Sequence, residues 1–439
     1  MSLVHAHSKP CSKSELELFE IPPTQMVIED SEYVEYRPFG GVSQEGSNQF
    51  IIPGVGSKYL DINNTQLYIR AKITKGNGAD ITSSDKVGPV NLLMHSLFSQ
   101  VSVTLNGKLI TDSTPTYPYR AMIETLLNYN KESKESHLQT QFYYKDTAGG
   151  MDENDPTSTA NKGLRDRASL TDLSAEFELM GPIHSDIFNQ ENVLLPGIEV
   201  KIMLERTKSS FALMSSNSTP DYCIKILDAI LYVRELTCSN AQVLRDAMML
   251  ENETAKYKIR RAIIRNTSIP AGSFGLQRDN VFLGEIPKRV ILVLVDGDAF
   301  SGVYDKNPFN FKHHGLNYLA MHADSKQIPR TALTPKFGTR KRYLRSYLQL
   351  FSAIGEVYSN GGIDITPEDF GNGYTILAFD LTPDESHGEH YTLNKRGNFR
   401  IDLKFDAPLS TSVNLLMYAE FDNIIEIDKH RNTIFDFST

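Results

Sequence analysis

The sequence predicts an all-β protein made of two tandem β-sandwich modules covered by short helices, and three observations carry that prediction. First, the second half repeats the element order of the first. A hairpin-like run over residues 101–110, an amphipathic stretch over 120–129 and strand-like runs over 198–206 and 224–236 return as runs over 289–295 and 316–328, an amphipathic stretch over 343–354, and runs over 399–405 and 413–427. Second, apolar residues alternate within the strand-like runs, as half-buried strands require, and Gly and Pro punctuate the joins. Third, the strands of each half come from distant stretches of sequence, which favours Greek-key connectivity over a meander. A chain of 439 residues also exceeds what one core fills and suits two domains of roughly 200 residues each.

Residues 1–48 are polar and carry Pro22-Pro23 and Gly40-Gly41, so they read as an extended N-terminal arm lying on a neighbour. The first module is expected over 49–240. In TQLYIRAKI the residues Leu67, Ile69, Ala71 and Ile73 share one face of a strand. Val101, Val103 and Leu105 alternate in the same way, and Asn106-Gly107 supplies the positive φ values of a type I′ hairpin turn before Leu109 and Ile110. Met122, Ile123, Leu126 and Leu127 have helical spacing and predict a short helix over an opening or edge of the first sandwich. From Lys145 to Arg167 almost no apolar residue occurs, which reads as a long surface excursion. Val243, Ala247 and Leu250 lie on one side of a helix that makes 241–255 the connector. The second module, 256–428, starts with KYKIRRAIIR and continues through RVILVLVD, whose unbroken apolar core suits a strand buried on both faces. Residues 429–439 form a short polar tail.

Composition narrows the function. Hydrophobic residues make up 40% and charged residues 23%, close to an average folded protein, so disorder and fibrous structure are both poor readings. A net charge of −9 argues against direct, sequence-specific nucleic-acid readout. Three cysteines (Cys11, Cys223, Cys238) without CxxC spacing signal neither a disulfide framework nor a zinc knuckle and fit a reducing compartment. Residues Met1 to Glu20 lack an apolar signal-peptide core, and no uncharged apolar run approaches a membrane span, so secretion and insertion are not expected. The N-x-S/T triplets starting at Asn63, Asn217, Asn252 and Asn266 carry little weight in that setting.

No constellation points to catalysis, a cofactor or a metal. G-x-S-x-G, the Walker loop and H-E-x-x-H are all missing. Gly54-Val55-Gly56 starts like a dinucleotide loop, but Tyr59 stands where the third glycine belongs, so a turn is the better reading. His313, His314 and His322 flank one strand, and His387 and His390 sit in an acidic loop. Adjacent strand residues point to opposite faces, so these histidines do not converge on an ion. The acidic run Asp152, Glu153, Asn154 and Asp155 lacks the alternate-position spacing of a calcium loop. Lys256, Lys258 and Arg260 alternate as the wet face of a strand, with Arg261 beside them. Arg340, Lys341, Arg342 and Arg345 cap a helix start, and their charge is expected to face a subunit neighbour more than nucleic acid or an import receptor.

Six segments resemble a known family. They are PPTQ (Pro22 to Gln25), GPVNLLMHSLFSQVSVTLNGKLI (Gly88 to Ile110), TYPYRAMIETLLNY (Thr116 to Tyr129), NPFNFKH (Asn307 to His313), GYTILAFDLTPD (Gly373 to Asp384) and YAEFDNIIEID (Tyr418 to Asp428). Together they span nearly the whole chain and are similar to the hexon-type protein of Polinton (Maverick) elements and adintoviruses. The resemblance implies two tandem jelly-roll β-sandwiches, a double jelly roll, acting as a major capsid protein with no catalytic residues. It implies a homotrimeric, pseudo-hexameric capsomer in an icosahedral virion shell assembled inside the host cell, with the nucleus as one candidate compartment. Neighbouring capsomers and a penton or minor capsid protein follow as partners, and packaged double-stranded DNA only indirectly; an internal membrane is left open. The segments 145–167 and 296–312 would project as tower or contact loops, and arm and tail would clamp neighbours or face the particle interior. Two rivals remain: a penton or minor capsid protein, and a tandem jelly-roll carbohydrate-active or glycan-binding protein.

Overall fold

The computed structural model describes residues 7–437 except 10, 12, 20, 55, 283, 325 and 386–389. The first module contains β1 (Ile28–Tyr36), β2 (Ser47–Ile52), β3 (Tyr59–Lys75), β4 (Val87–Pro89), β5 (Phe98–Leu105), β6 (Lys108–Leu109), β7 (Phe177–Gly181), β8 (Val200–Arg206), β9 (Leu213–Ser215) and β10 (Tyr222–Cys238). Its two main sheets run β1-β10-β3-β7 and β2-β8-β5-β6, and β4 pairs separately with β9. The second module contains β11 (Ala255–Ile269), β12 (Gly275–Arg278), β13 (Arg289–Asp296), β14 (Leu316–Ala323), β15 (Lys326–Leu333), β16 (Leu377–Asp380), β17 (Phe399–Phe405), β18 (Val413–Ile427) and β19 (Thr433–Ile434). Its sheets run β11-β18-β13-β16, with β19 on β18, and β12-β17-β14-β15.

Numbered within its own sandwich, each module has the order 1-8-3-6 in one sheet and 2-7-4-5 in the other. Two interlocked Greek keys of this order make a jelly roll. The chain is therefore a double jelly roll, and the duplication seen in sequence is a duplication of topology.

The residue pattern explains the elements. Along β3, Leu67, Ile69, Ala71 and Ile73 are buried while Gln66 and the residues between them face outward. The β5–β6 hairpin turns at Asn106 and Gly107 with φ of 47° and 77°, the pair of left-handed residues a type I′ turn needs. β13 is buried at all eight positions, because one face packs on its own sandwich and the other is covered from the first module. Lys256, Lys258 and Arg260 are exposed on β11, with Tyr257, Ile259 and Arg261 buried between them.

Four expectations are corrected. Residues 1–48 do not stay an arm throughout: β1 pairs with β10, and β2, starting at Ser47, pairs with β8, so the first sandwich begins at Ile28. The helix Tyr117–Asn128 does not cap the first sandwich alone. Its Tyr119, Met122, Ile123, Leu126 and Leu127 share a core with Ile263, β13 and β18 of the second module, so it lies between the two. Residues 145–167 and 296–312 do not project as towers; both are tied into the seam between modules. The polar tail, where described, bridges the chain's own modules: Asn106 Nδ2 donates to the Arg431 carbonyl at 2.6 Å, Lys108 Nζ lies 4.0 Å over the Phe435 ring and the Arg261 guanidinium 4.8 Å over Phe437.

Candidate functional site

The most elaborately built feature of the molecule is the seam that joins the two sandwiches. In each module the connection between the fifth and sixth sandwich strands is long, and these two connections meet. In the first, Asn161 caps the helix Lys162–Ser169 by accepting from the Leu164 amide. Leu164 and Ala168 then face β4, where a Cβ on Gly88 would come within 2.9 Å of Leu164 Cδ1 and 3.0 Å of Ala168 Cβ. That packing drives Arg167 inward. Its side chain and that of Asp146 are both fully buried, and Arg167 Nη2 donates to Asp146 Oδ1 at 2.8 Å. Arg167 also donates to the carbonyls of Pro89 at 2.8 Å and Tyr144 at 2.6 Å.

The remaining partners of Asp146 come from the other module. Asn307 Nδ2 donates to Asp146 Oδ2 at 2.9 Å, and the Tyr374 hydroxyl donates to the Asp146 carbonyl at 2.8 Å. Lys312 pairs with Asp152 at 2.6 Å, Lys145 Nζ reaches Asp369 at 2.9 Å, and the Gly149 amide donates to the Asn372 carbonyl. Lys134 Nζ donates to the carbonyls of Leu126 at 2.9 Å and Ile363 at 2.7 Å, and burial pushes its ammonium down to about 7. Around this polar centre Tyr119 stacks on Phe300 and meets Phe309 edge-on, with ring centroids 5.5 and 5.8 Å apart.

A second charged cluster lies beside the helix Tyr117–Asn128. Arg120 donates to Glu124 at 2.9 Å and to Asp186 at 2.6 Å, and the Ala262 amide of β11 donates to Asp186 at 3.1 Å. Glu124 also accepts from His184 Nδ1 at 2.6 Å and from the Tyr418 hydroxyl of β18 at 3.1 Å. Burial drives the Glu124 carboxyl upward, but the Arg120 guanidinium and His184 outweigh it and hold the group at about 2. His95, between Tyr117 and Gln141, is pushed down to about 3 by burial and by His184, whose ring lies 4.6 Å away. Both oxygens of Glu124 and Oδ1 of Asp186 accept from donors of the chain itself, which is the arrangement of a strut.

The residues singled out in sequence fall as follows. His313 stacks on Phe337 at 4.1 Å and accepts from the Gly315 amide; His314 faces Asp296 at 3.6 Å and is pushed down to about 4 by burial. His322 is partly buried on β14, His390 pairs with Asp384, and His387 lies outside the described residues, as does Val55. Gly54 is forced by contact, since a Cβ there would sit 2.6 Å from the Glu199 amide. The run at 152–155 is spent on the chain: Asp152 on Lys312, Asn154 on the Ser215 carbonyl and Asp155 on Lys86. Arg340, Lys341, Arg342 and Arg345 are exposed. Among the described residues no group of three His, Cys, Asp or Glu is placed to hold a metal ion, and no helix is long and apolar enough to cross a membrane. Sequence reasoning missed Asp146, Arg167, Asn307 and Tyr374. Asn161 three residues before Leu164 was the available signal for the helix that places Arg167.

No protein-family model matches the chain. The chain is 27% identical over 433 residues to the uncharacterized protein F54H12.2 of Caenorhabditis elegans, covering 95% of this chain and 99% of that one. Among solved structures it is similar to a chain of the Sputnik virophage (TM-score 0.65, 13% identity, 99% of this chain and 94% of that one). It is also similar to the mavirus major capsid protein (TM-score 0.57, 12% identity, 100% and 96%) and the Faustovirus major capsid protein (TM-score 0.54, 10% identity, 97% and 92%). The latter two are named as major capsid proteins, and the double jelly-roll fold of this chain matches all three structures over nearly its whole length.

Proposed function

We propose that this chain is a hexon-type major capsid protein, a structural protein of an icosahedral shell and not an enzyme. The observation that carries the reading is the pair of topologically identical jelly rolls locked side by side through a buried seam. Two equivalent lobes per chain around a closed threefold axis give six near-equivalent outer faces, so a homotrimer tiles a hexagonal lattice. Such tiling needs a fixed angle between lobes, and a seam closed by Asp146, Arg167 and Asn307 supplies one. In this reading the helix Asn240–Leu250 connects the lobes. Neighbouring capsomers and a five-fold vertex protein are the partners, the virion shell is the location, and the element is of the Polinton or adintovirus kind. The full-length likeness to the mavirus and Faustovirus major capsid proteins supports the role. A penton protein built on one jelly roll is disfavoured by the second.

The test is assembly. Sedimentation velocity of the purified chain is expected to give a trimer, and negative-stain images a hexagonal outline. A chain that stays monomeric at high concentration refutes the reading.

A further inference from the structure

Charge is segregated along this chain in an unusual way. From residue 14 to 36 there are seven acidic residues and no basic one; from 325 to 355 there are seven basic residues and no acidic one. The acidic segment leads into the first sandwich as edge strand β1, whose outer side has no strand partner among the described residues. The basic segment spans β15 and the helix Leu344–Ile354 of the second. The cations Arg330, Lys336, Arg340, Lys341 and Arg342 are exposed, and Arg345 spends its donors on the carbonyls of Ala332 and Thr331. On the acidic side Lys58 pairs with Glu32 and with Glu235 of β10, and Arg37 with Glu35 and with Asp228 of β10, while Glu15, Glu17 and Glu29 are exposed.

Both segments also expose large apolar side chains. Phe19 is 96% and Ile21 90% exposed ahead of β1, while Leu344 and Leu348 project one helical turn apart beside the cations and Tyr358, just past the helix, is 99% exposed. An acidic apolar segment on one lobe and a basic apolar face on the other are complementary in both charge and hydrophobicity. Ahead of β1, where the chain has not yet joined its own sheet, Phe19 and Ile21 are not covered by the chain's own body. Resting on the trimer reading above, we infer that residues 14–36 of one copy dock on a second copy, at the basic face that Arg330, Lys336, Arg340, Lys341 and Arg342 form ahead of the helix Leu344–Ile354 together with the exposed Leu344 and Leu348 at its start. Because the two patches differ and sit on different lobes, the contact is head-to-tail and closes only as a ring. A nucleic acid or an anionic lipid surface meets the cations equally well, but it leaves the exposed apolar side chains of the acidic arm uncovered.

The experiment is a charge swap read by sedimentation velocity near physiological ionic strength. Arg340→Glu, Lys341→Glu and Arg342→Glu together, or Glu15→Lys, Glu17→Lys and Glu29→Lys together, are each expected to raise the concentration for half-assembly about tenfold or more, since several exposed pairs become repulsive. All six changes in one chain are expected to restore assembly to within about threefold of wild type, which also shows that the changed chain folds. Assembly of both triple variants at wild-type concentrations, or no recovery in the sixfold variant, overturns the inference and leaves the capsid reading intact. The inference also falls if the basic-face variant stays trimeric but loses binding to duplex DNA or phosphatidylserine vesicles that wild type retains. A monomeric wild type overturns both.

Discussion

Replacing Asp146 by alanine removes one end of an ion pair whose two side chains are shut off from solvent. Arg167 keeps its bonds to the Pro89 and Tyr144 carbonyls but loses its counter-charge, and the amide of Asn307 loses its acceptor in the opposite module. Breaking a buried pair from one side costs about 3–5 kcal/mol, because the remaining charge is left uncompensated in a low dielectric. By contrast the Lys145–Asp369 pair of the same seam is partly exposed and is expected to be worth under about 1 kcal/mol. The assay is urea unfolding followed by far-ultraviolet circular dichroism and, since the chain has 20 Tyr and no Trp, by tyrosine fluorescence. Wild type is expected to unfold with both modules coupled. Asp146→Ala is expected to lower the midpoint and to separate the transition into two, one per sandwich. The double change Arg167→Met with Asp146→Leu removes both charges and is expected to recover much of the loss. A cost below about 1 kcal/mol for Asp146→Ala with a single transition refutes the claim that this pair couples the modules.

Two further outcomes follow from the seam. Gly163→Ala, in the helix Lys162–Ser169, ordinarily gains about 1 kcal/mol of helix propensity; here the added Cβ would sit 2.6 Å from the Lys145 carbonyl and 2.7 Å from that of Tyr144. A loss of about 1–3 kcal/mol in the same urea assay is expected instead. Glu124 gives a pH signature: its carboxyl is held at about 2 in the fold, against 4.5 when unperturbed. As pH falls from 4.5 to about 2 the unfolded chain takes up the proton first, so stability on the order of 3 kcal/mol is present above that window and lost through it. Glu124→Gln is expected to flatten this part of the stability–pH curve; an unchanged slope shows that the carboxyl is not held by Arg120 and His184.

The sheets were legible because their burial is apolar and periodic. Leu67 to Ile73, the Asn106-Gly107 turn and the unbroken run Val290 to Val295 each carry a local pattern that only one conformation satisfies. The seam was not legible because its buried residues are of the types that water normally solvates. Asp146, Asn161 and Arg167 lie in a stretch that composition assigns to a surface loop, and nothing local says that Asn307 and Tyr374 arrive from residues far along the chain. β1 escaped for the opposite reason: it is exposed along nearly its whole length, so pairing with β10 leaves no alternation to read. The helix Tyr117–Asn128 was found by its spacing, but a helix buried on almost every side signals two neighbours, and only one had been assigned.

That the seam is polar at its centre has a physical consequence for assembly. Two apolar faces held together by burial alone keep most of their stabilisation when one slides or tilts by an ångström or two, because the hydrophobic effect is non-directional. A guanidinium with three fixed acceptors, a carboxylate shared with an amide of the other module, and a lysine held between the Leu126 and Ile363 carbonyls lose their bonds under the same displacement. The network therefore fixes the angle between lobes more than it adds to stability. A trimer whose six faces must match a lattice needs the first property. The Arg167→Met, Asp146→Leu chain separates the two: if angle is the role, it folds with near wild-type stability yet gives trimers of irregular outline, whereas regular hexagonal trimers from that chain assign the angle to the apolar packing of Tyr119, Phe300 and Phe309 instead.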